Sequence, residues 1–361
     1  MDLKKKKIAV ICNYELLPTR VGGMDYFFWE FDKQCKLQGF EIDWFFPNSS
    51  NHGEYSQLHI FSSTTLSLEH FFLNHLINVA NDYTHVFTHF LELCTSFFSK
   101  VKQKSTATVI AVDHNPRPLD GYKGHKKIKK RVKGLLFSRY IDLFVGVSNY
   151  TVQELINDFG SQLKNKTMTL YNGIDIEDIQ VRQDRNKRHP TFLTASHLRY
   201  SKGIQDLIDA VYLLPDSIKS EIRIDVYGDG PYRTGLEMQV KRLALEKCFQ
   251  FMGSSPKLKS IYCHYDYMLQ PTHMECFSLS ILESLAANVP VVTTNVGGNE
   301  EAIANDENGF IFQPKNVEVL KDVLLSLWKG EMKIERNTRI LIEEKFTINK
   351  MVSNYMQIIK K

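Results

Sequence analysis

The chain has 361 residues, of which 43% are hydrophobic and 24% are charged, and its formal net charge is +4 at pH 7. This composition is typical of a globular protein, and the length predicts two domains rather than a single core. No apolar stretch reaches the roughly 20 residues of a membrane-spanning helix. The apolar run after the N-terminal lysines is too short for a signal peptide, and the six cysteines lack metal-type or redox-type spacing. These features predict a cytoplasmic protein.

Strands and helices alternate through the first half of the sequence. A loop ending in Gly22-Gly23 leads into a helix with apolar residues at helical spacing from Met24 to Cys35. A second helix is predicted over Asn149–Phe159. This alternation is typical of a parallel sheet that helices cover on both faces. The predicted strands are Ile8–Asn13, Phe40–Phe46, His85–His89, Thr108–Asp113 and Leu143–Ser148.

A basic segment, residues 121–139, holds eight lysines and arginines and no acidic residue. At helical spacing it places Ile128, Val132, Leu135 and Leu136 on one face. Such a basic amphipathic helix suits an anionic membrane surface, where each well-placed basic residue adds about 1 kcal/mol. The alternative is that the apolar stripe packs on the core and the lysines are solvated. Nucleic acid is not an expected partner, because no aromatic platform accompanies the charge.

The second half repeats the alternation after a turn at residues 170–175 and a polar stretch, residues 177–190, which is predicted to be a linker. The fold class is therefore α/β, with two Rossmann-like doubly wound domains facing each other across a cleft. We expect an N-terminal domain at residues 1–170, a C-terminal domain at 171–345, and a helix within 346–361 that packs back toward the first domain. The predicted strands are Thr191–Ser196, Ile222–Tyr227, Phe249–Met252, Tyr265–Leu269, Val291–Thr294 and Phe310–Phe312, and the predicted helices are Ile204–Leu214, Tyr232–Leu245, Ser278–Ala287, Val317–Trp328 and Lys350–Lys360.

Two carboxylates, Glu275 and Glu283, lie across a predicted strand-to-helix junction. A helical span of this length would cover about 12 Å, which is comparable to a sugar–pyrophosphate–ribose unit. Carboxylates accept hydrogen bonds from vicinal hydroxyls, and a helix start attracts phosphate. One acid could therefore hold sugar hydroxyls and the other the ribose. The alternative is a buried helix capped by Ser278 with one solvated glutamate.

Several short motifs occur in an order and spacing that resembles glycosyltransferase family 4, the retaining sugar transferases of the GT-B fold (glycosyl transferases group 1). The resemblance covers nearly the whole chain and is most specific over residues 190–315. The motifs are Gly22-Gly23, Asn172-Gly173-Ile174-Asp175, Lys202-Gly203, Gly228-Asp229-Gly230-Pro231, the pair Glu275 and Glu283, and Val296-Gly297-Gly298 followed by Glu301.

The resemblance implies roles for individual residues. Glu275 would contact the hydroxyls of the donor sugar, and Glu283 would contact the ribose. Lys202 would neutralise the leaving diphosphate, an electrostatic task that a lysine performs without a metal ion. His114 would line the reaction centre and so completes, with Lys202 and Glu275, the expected catalytic set. The remaining expected contacts to the donor are the backbone N–H groups of Phe277, Ser278 and Leu279 and the loop glycines Gly22 and Gly23.

One position departs from the family pattern. The family usually has an arginine five residues before the lysine, but here that residue is His197, and the nearest arginine is Arg199. Arg199 is therefore the expected phosphate contact, with His197 as an alternative. Asn172, in the mid-chain motif, is a further candidate.

The resemblance implies a metal-independent, retaining glycosyltransferase that moves a sugar from a UDP- or GDP-sugar to a glycan or lipid-linked acceptor, in bacterial surface polysaccharide synthesis. It also favours the membrane interpretation of the basic segment, at the inner face of the membrane. No cofactor is expected, since the nucleotide-sugar is a substrate, and no metal-ligand spacing stands out in the sequence. Two alternatives remain: a nucleotide-sugar epimerase of the same fold, and a catalytically silent nucleotide-sugar-binding protein.

Overall fold

The computed structural model describes residues 6–19, 21–78, 83–183 and 188–360. The chain divides into two compact units. Unit 1 comprises Met1–Pro116, Asp120–Gly173 and Ile348–Lys361, and unit 2 comprises Arg117–Leu119 and Ile174–Thr347.

Unit 1 contains, within the described residues, a seven-stranded parallel sheet. The central strand β1 is a continuous apolar run that is buried on both faces, as parallel sheets covered by helices require. The strand order is β3-β2-β1-β4-β5-β6-β7, so the winding reverses between β1 and β4. The strands are β1 (Lys7–Cys12), β2 (Glu41–Phe45), β3 (His59–Phe61), β4 (Tyr83–His89), β5 (Thr108–Asp113), β6 (Leu143–Gly146) and β7 (Thr167–Thr169).

Five helices of unit 1 lie in the described part of the first half. They are α1 (Gly23–Leu37), α2 (Leu68–Asn78), α3 (Ser96–Lys104), α4 (Gly124–Phe137) and α5 (Asn149–Phe159). Large aromatic side chains fill the core beneath α1, among them Phe27, Phe28, Phe31 and Trp44, all fully buried. The sequence did not predict β3, α2, α3 or β7.

Unit 2 contains, in the described part of the chain, a six-stranded parallel sheet with the order β10-β9-β8-β11-β12-β13. The winding reverses between β8 and β11. In doubly wound sheets, ligands bind outside the carboxyl ends of the strands at this reversal. The strands are β8 (Phe192–Ala195), β9 (Ile224–Tyr227), β10 (Phe249–Gly253), β11 (Tyr267–Gln270), β12 (Val291–Thr294) and β13 (Gly309–Phe312).

The described helices of unit 2 include the predicted ones at nearly the predicted bounds and several short helices that were not predicted. They are α6 (Ile204–Tyr212), α7 (Asp216–Lys219), α8 (Arg233–Arg242), α9 (Leu258–Ile261), α10 (Leu279–Ala286), α11 (Asn299–Ala302), α12 (Val317–Lys329) and α13 (Arg339–Lys345). Residues 184–187, inside the predicted linker, lie outside the described residues.

The last helix, α14 (Ile348–Lys360), belongs to unit 1. It packs against α1, and its buried face includes Met351, Tyr355 and Met356. The Tyr355 ring lies 4.9 Å from the Phe27 ring and 5.8 Å from the Phe31 ring, centroid to centroid. The chain end is therefore part of the core of unit 1.

Candidate functional site

Two loops leave the sheet of unit 2 at the carboxyl ends of β8 and β11, where the winding reverses. The lysine loop, residues 196–203, joins β8 to α6. The acidic loop, residues 271–278, joins β11 to α10. Because β8 and β11 are hydrogen-bonded neighbours, these two loops share one edge of the sheet. Topology alone thus brings the candidate residues of unit 2 together.

Lys202 and Glu275 form an ion pair across these loops. The Nζ atom of Lys202 donates to Oε2 of Glu275 at 2.7 Å. Their side chains retain 21% and 14% of their exposed surface, so the pair is shielded but reachable from solvent. An ammonium group beside a carboxylate offers a phosphate partner and a hydroxyl partner next to each other.

Further contacts hold the lysine loop against the acidic loop. The hydroxyl of Thr272 and the backbone N–H of His273 both donate to the carbonyl of Ser201, at 3.1 and 2.8 Å. The His273 ring lies 2.6 Å from Asp206, in the first turn of α6. These contacts fix the position of the backbone from which the Lys202 side chain extends.

Gly203 allows this close approach. Its φ is +72°, and a Cβ atom there would lie 1.7 Å from the carbonyl oxygen of Pro271. Only glycine fits a position with this backbone conformation and this contact. The Lys202-Gly203 motif therefore has a packing reason as well as the chemical one.

The start of α10 differs from the alternative in which the Ser278 side chain caps the helix. Ser278 occupies the N-cap position, but its side chain makes no capping hydrogen bond. Its hydroxyl instead accepts from Nε2 of the buried Gln270 at 2.9 Å. The Ser278 hydroxyl therefore leaves the amides of the first turn uncapped, and such amides attract anions. Phe277 is buried and packs on Phe346.

Glu283 lies on α10 and is partly buried as a residue. The buried Tyr262 hydroxyl donates to its Oε2 atom at 3.1 Å. Loss of solvation raises the pKa of Glu283 to about 7, although Tyr262 and Lys259 act in the opposite direction. The carboxylate thus carries its charge at a free-energy cost in the absence of ligand.

Replacing Glu283 with glutamine is expected to stabilise the protein by about 3 kcal/mol at pH 8 and by about 1 kcal/mol at pH 5. The raised pKa means that the folded state binds the proton more tightly than the unfolded state does. The charged form therefore opposes folding as pH rises through 7, and glutamine removes this penalty. Urea unfolding at both pH values measures the effect, with the exposed Glu246→Gln as control. An equal effect at both pH values would contradict the interpretation.

Arg199 and His197 are both exposed in the lysine loop. The backbone carbonyl of Arg199 accepts from the N–H of Lys202 at 2.9 Å, which closes the short turn carrying the lysine. Both residues are close to Lys202 in the sequence. Which of the two contacts a phosphate stays a prediction.

The Gly22-Gly23 loop of unit 1 follows β1 and begins α1. The buried Asp25 caps it, because the N–H of Gly22 donates to Oδ2 of Asp25 at 2.9 Å. The hydroxyls of Tyr14 and Tyr55 donate to the same carboxylate at 3.0 and 2.5 Å. The N–H of Gly22 therefore already donates a hydrogen bond within the loop. Any hydrogen bond from this loop to a ligand must come from other groups of the loop.

His114 follows β5, at the carboxyl edge of the sheet of unit 1, and is partly buried as a residue. Its Nε2 atom lies 3.0 Å from Nδ1 of His89, the last residue of β4. The Phe90 ring stacks on it at 4.3 Å. Burial lowers the pKa of His114 to about 4, with Asp113 acting in the opposite direction, so the imidazole is neutral at pH 7.

The basic segment forms α4, and its apolar stripe is exposed. Ile128, Val132, Leu135 and Leu136 keep 66%, 47%, 72% and 53% of their surface exposed. The helix packs on its neighbour through Gly134, where a Cβ atom would lie 1.9 Å from the carbonyl oxygen of Phe159. The alternative in which the stripe packs on the core is therefore wrong.

Asn172 is buried near the end of unit 1, and its Oδ1 atom has no hydrogen-bond partner among the described residues. Sequence reasoning missed His273, Asp206, Gln270, Tyr262, Asp25 and His89. The signals available were weak: an aspartate in the first turn of a predicted helix for Asp206 and Asp25, and a strand end for His89 and Gln270.

No group of three or more His, Cys, Asp or Glu side chains is arranged to hold a metal ion within the described residues. In the same part of the chain, no helix is long and apolar enough to cross a membrane.

Known proteins resemble this chain in sequence and in fold. Residues 175–342 match the family model described as glycosyl transferases group 1. An N-acetyl-alpha-D-glucosaminyl L-malate synthase of Bacillus anthracis is 28% identical over 219 residues, which are 56% of this chain and 56% of that protein. The O-antigen biosynthesis glycosyltransferase WclY of Escherichia coli is 25% identical over 267 residues, 72% of this chain and 73% of that protein. The chain spans about half the length of several curated relatives that it matches.

Solved structures with a similar fold cover nearly the whole chain. The structure of HepE from Anabaena, in complex with UDP and glucose, superposes with a TM-score of 0.76 at 18% identity and covers 99% of this chain and 100% of that one. At this identity the likeness concerns the fold, which is the GT-B fold of two Rossmann-like domains. The chain therefore has the GT-B fold, and its residues 175–342 resemble the glycosyl transferases group 1 family.

Proposed function

We propose that the chain is a retaining, metal-independent glycosyltransferase that moves a sugar from a nucleotide-sugar to a glycan or lipid-linked acceptor. The observation that carries this proposal is the Lys202–Glu275 ion pair, which lies at the carboxyl edge of unit 2 where the winding of the sheet reverses. The helix start at Ser278 follows in the same loop and lacks a side-chain cap. A cation, a carboxylate and uncapped amides suit a diphosphate that carries a sugar.

In the proposed reaction, the bond between the anomeric carbon and the diphosphate oxygen breaks as the acceptor hydroxyl attacks from the same face of the sugar. The acceptor proton passes to the departing diphosphate oxygen. Lys202, with Arg199 or His197, and the amides near Ser278 stabilise the negative charge that develops there. Glu275 holds the sugar hydroxyls and Glu283 the ribose. His114, a residue of unit 1, completes the proposed catalytic set.

Two of the similar proteins suggest which donor and which product class to test first. HepE was solved with UDP and glucose, and WclY is named for O-antigen biosynthesis. We therefore propose a UDP-sugar as the first donor to test, with a GDP-sugar next, and bacterial surface polysaccharide as the product class.

The test is incubation with UDP-, GDP-, ADP- and TDP-sugars, with and without a panel of lipid-linked and free glycan acceptors, in the presence of EDTA. The proposal expects acceptor-dependent release of the nucleotide and a product that keeps the anomeric configuration of the donor. Isomerisation of a nucleotide-sugar without acceptor would favour an epimerase. Tight binding without turnover across the panel would favour the silent binding protein.

We further propose that α4 docks on an anionic membrane surface, at the inner face of the membrane. The exposed apolar stripe described above lies on the same helix as the exposed side chains of Lys126, Lys127, Lys129 and Arg131. Apolar insertion and attraction to anionic headgroups act together on such a helix. The positive charge of the helix favours anionic lipid as its partner.

Replacing Ile128 and Leu135 together with glutamate is expected to lower partition onto vesicles of phosphatidylglycerol and phosphatidylcholine by about 10-fold or more. Two apolar side chains that leave the bilayer boundary lose well over the 1.4 kcal/mol that a tenfold change requires. Sedimentation with the vesicles measures the partition. Ile77→Glu is the matched control, because Ile77 is 63% exposed on α2 of the same unit. Unchanged binding of the double variant would exclude α4 as the docking surface.

A further inference from the structure

His89 is buried at an unusual place for an imidazole. It ends β4, the strand beside β1 where the sheet of unit 1 reverses, and its side chain is fully buried. Rings of Phe27, Phe28 and Tyr355 surround it at centroid distances of 5.7, 6.3 and 6.1 Å. A phenylalanine would suit this aromatic environment better, since an imidazole carries two polar nitrogens into it.

The two nitrogens of His89 have different surroundings. Nδ1 lies 3.0 Å from Nε2 of His114. Nε2 is buried and has no hydrogen-bond partner among the described residues. A buried polar atom without a partner destabilises the fold by roughly 1–3 kcal/mol. The hydrogen bond to His114 is the compensating feature that the structure offers.

The hydrogen bond joins two neutral rings. Burial lowers the pKa of His89 well below its ordinary value, and the pKa of His114 is also lowered, as described above. One hydrogen therefore lies between Nδ1 of His89 and Nε2 of His114, and either ring can donate it.

The unpartnered Nε2 atom of His89 selects between these arrangements. If His114 donated, His89 would carry its own hydrogen on Nε2 and bury an unpaired N–H donor. If His89 donates through Nδ1, its Nε2 is only an unpaired acceptor. Orphaned buried N–H donors are the rarer case in proteins. The second arrangement leaves the hydrogen of His114 on Nδ1.

We propose that His89 is a positioning residue that holds His114 in the tautomer with its hydrogen on Nδ1. In this tautomer the Nε2 atom of His114 accepts the hydrogen bond from His89, so His114 is a neutral imidazole that does not act as a general base through Nε2. This role in the reaction rests on the proposed glycosyltransferase function. The tautomer itself is a property of unit 1 that can be measured without any substrate.

Two amide variants separate the nitrogen positions. In His89→Asn the amide nitrogen is as far from Cβ along the side chain as Nδ1 is, so it can still donate to His114. In His89→Gln the amide lies one bond further out, as Nε2 does, and the hydrogen bond is lost. Both variants have the same chemistry, and far-ultraviolet circular dichroism verifies that each is folded.

Long-range ¹H–¹⁵N correlation spectra of histidine-labelled protein at pH 7.5 report the tautomer, with His114→Asn used to assign the signals. We expect the Nδ1–H form in the wild type and in His89→Asn, and a mixture of both forms in His89→Gln. The Nε2–H form in the wild type, or the same tautomer in wild type and His89→Gln, would overturn the proposal.

Kinetics test the consequence for the reaction. The kcat of transfer is expected to stay within about 3-fold in His89→Asn and to fall by about 10- to 100-fold in His89→Gln, with the KM for the donor unchanged. Equal kcat in both variants would overturn the role in catalysis. If the wild type transfers no sugar at all, the proposed function fails, whereas the spectra still decide the tautomer.

Discussion

Lys202→Ala is expected to lower the turnover of sugar transfer by a factor of about 10²–10³ while the protein stays folded. The ammonium group is a cation at the carboxyl edge of unit 2, in contact with Glu275 in the loop that leads to α10. When the bond to the diphosphate breaks, negative charge accumulates on the leaving oxygen, and the interaction with Lys202 strengthens. Its loss therefore affects kcat more than the affinity for the donor.

The control for this variant is Lys7→Ala. Lys7 pairs with Asp43 at 2.8 Å, and its side chain keeps 21% of its surface exposed, as that of Lys202 does. It lies at the amino end of β1, the opposite edge of the sheet from the proposed site in unit 1. Lys7→Ala should destabilise the protein without changing kcat. Comparable turnover in Lys202→Ala and wild type would end the proposed role of the lysine.

Glu275→Gln is expected to lower the rate of sugar transfer by a similar factor of about 10²–10³. Here the weakened interaction is the one with the sugar hydroxyls, whereas Lys202→Ala loses the one with the diphosphate. The amide lacks the negative charge that accepts two hydroxyl hydrogen bonds strongly and that balances the ammonium group of Lys202. UDP alone has no donor sugar, so its affinity should change by less than about 3-fold. Calorimetric titration with UDP and kinetics with the UDP-sugar separate the two effects.

The double variant Lys202→Ala with Glu275→Gln tests the pair as a unit. The side chains are in direct contact, so their effects should not add, and the double variant should lose little more than the worse single variant. Effects that multiply fully would mean that the two side chains act independently. A large loss of UDP affinity in Glu275→Gln would show that the carboxylate contacts the nucleotide rather than the sugar.

The architecture was predictable because apolar runs and helical spacing alternate along most of the chain. β5 and α5 occur at the predicted bounds, and the predicted two-domain α/β class is confirmed. The elements that the sequence did not predict have physical reasons. β3 has only three residues, His59 to Phe61, and none of them is buried, so it lacks the run of core residues that identifies a strand. The carboxyl-edge position of Lys202 and Glu275 followed from topology, since parallel strands place their following loops at one edge.

The finer structure of the candidate site depends on contacts between distant parts of the sequence. His273 and Asp206 are 67 residues apart, and neither carries a local signal of the other. Ser278 illustrates a different difficulty. A serine before a helix predicts a capping hydroxyl, but the buried Gln270 takes that hydroxyl, and only the folded structure shows this competition.

The membership of α14 in unit 1 has a consequence for how the protein is made. Chains fold as they leave the ribosome, generally from the N-terminus onward. Here the first unit lacks α14 until unit 2 has also been made, because Tyr355 and Met356 come after all of Ile174–Thr347. Until then Tyr355 does not cover the rings of Phe27 and Phe31. The half of the protein that is translated first is thus the half that completes its core last.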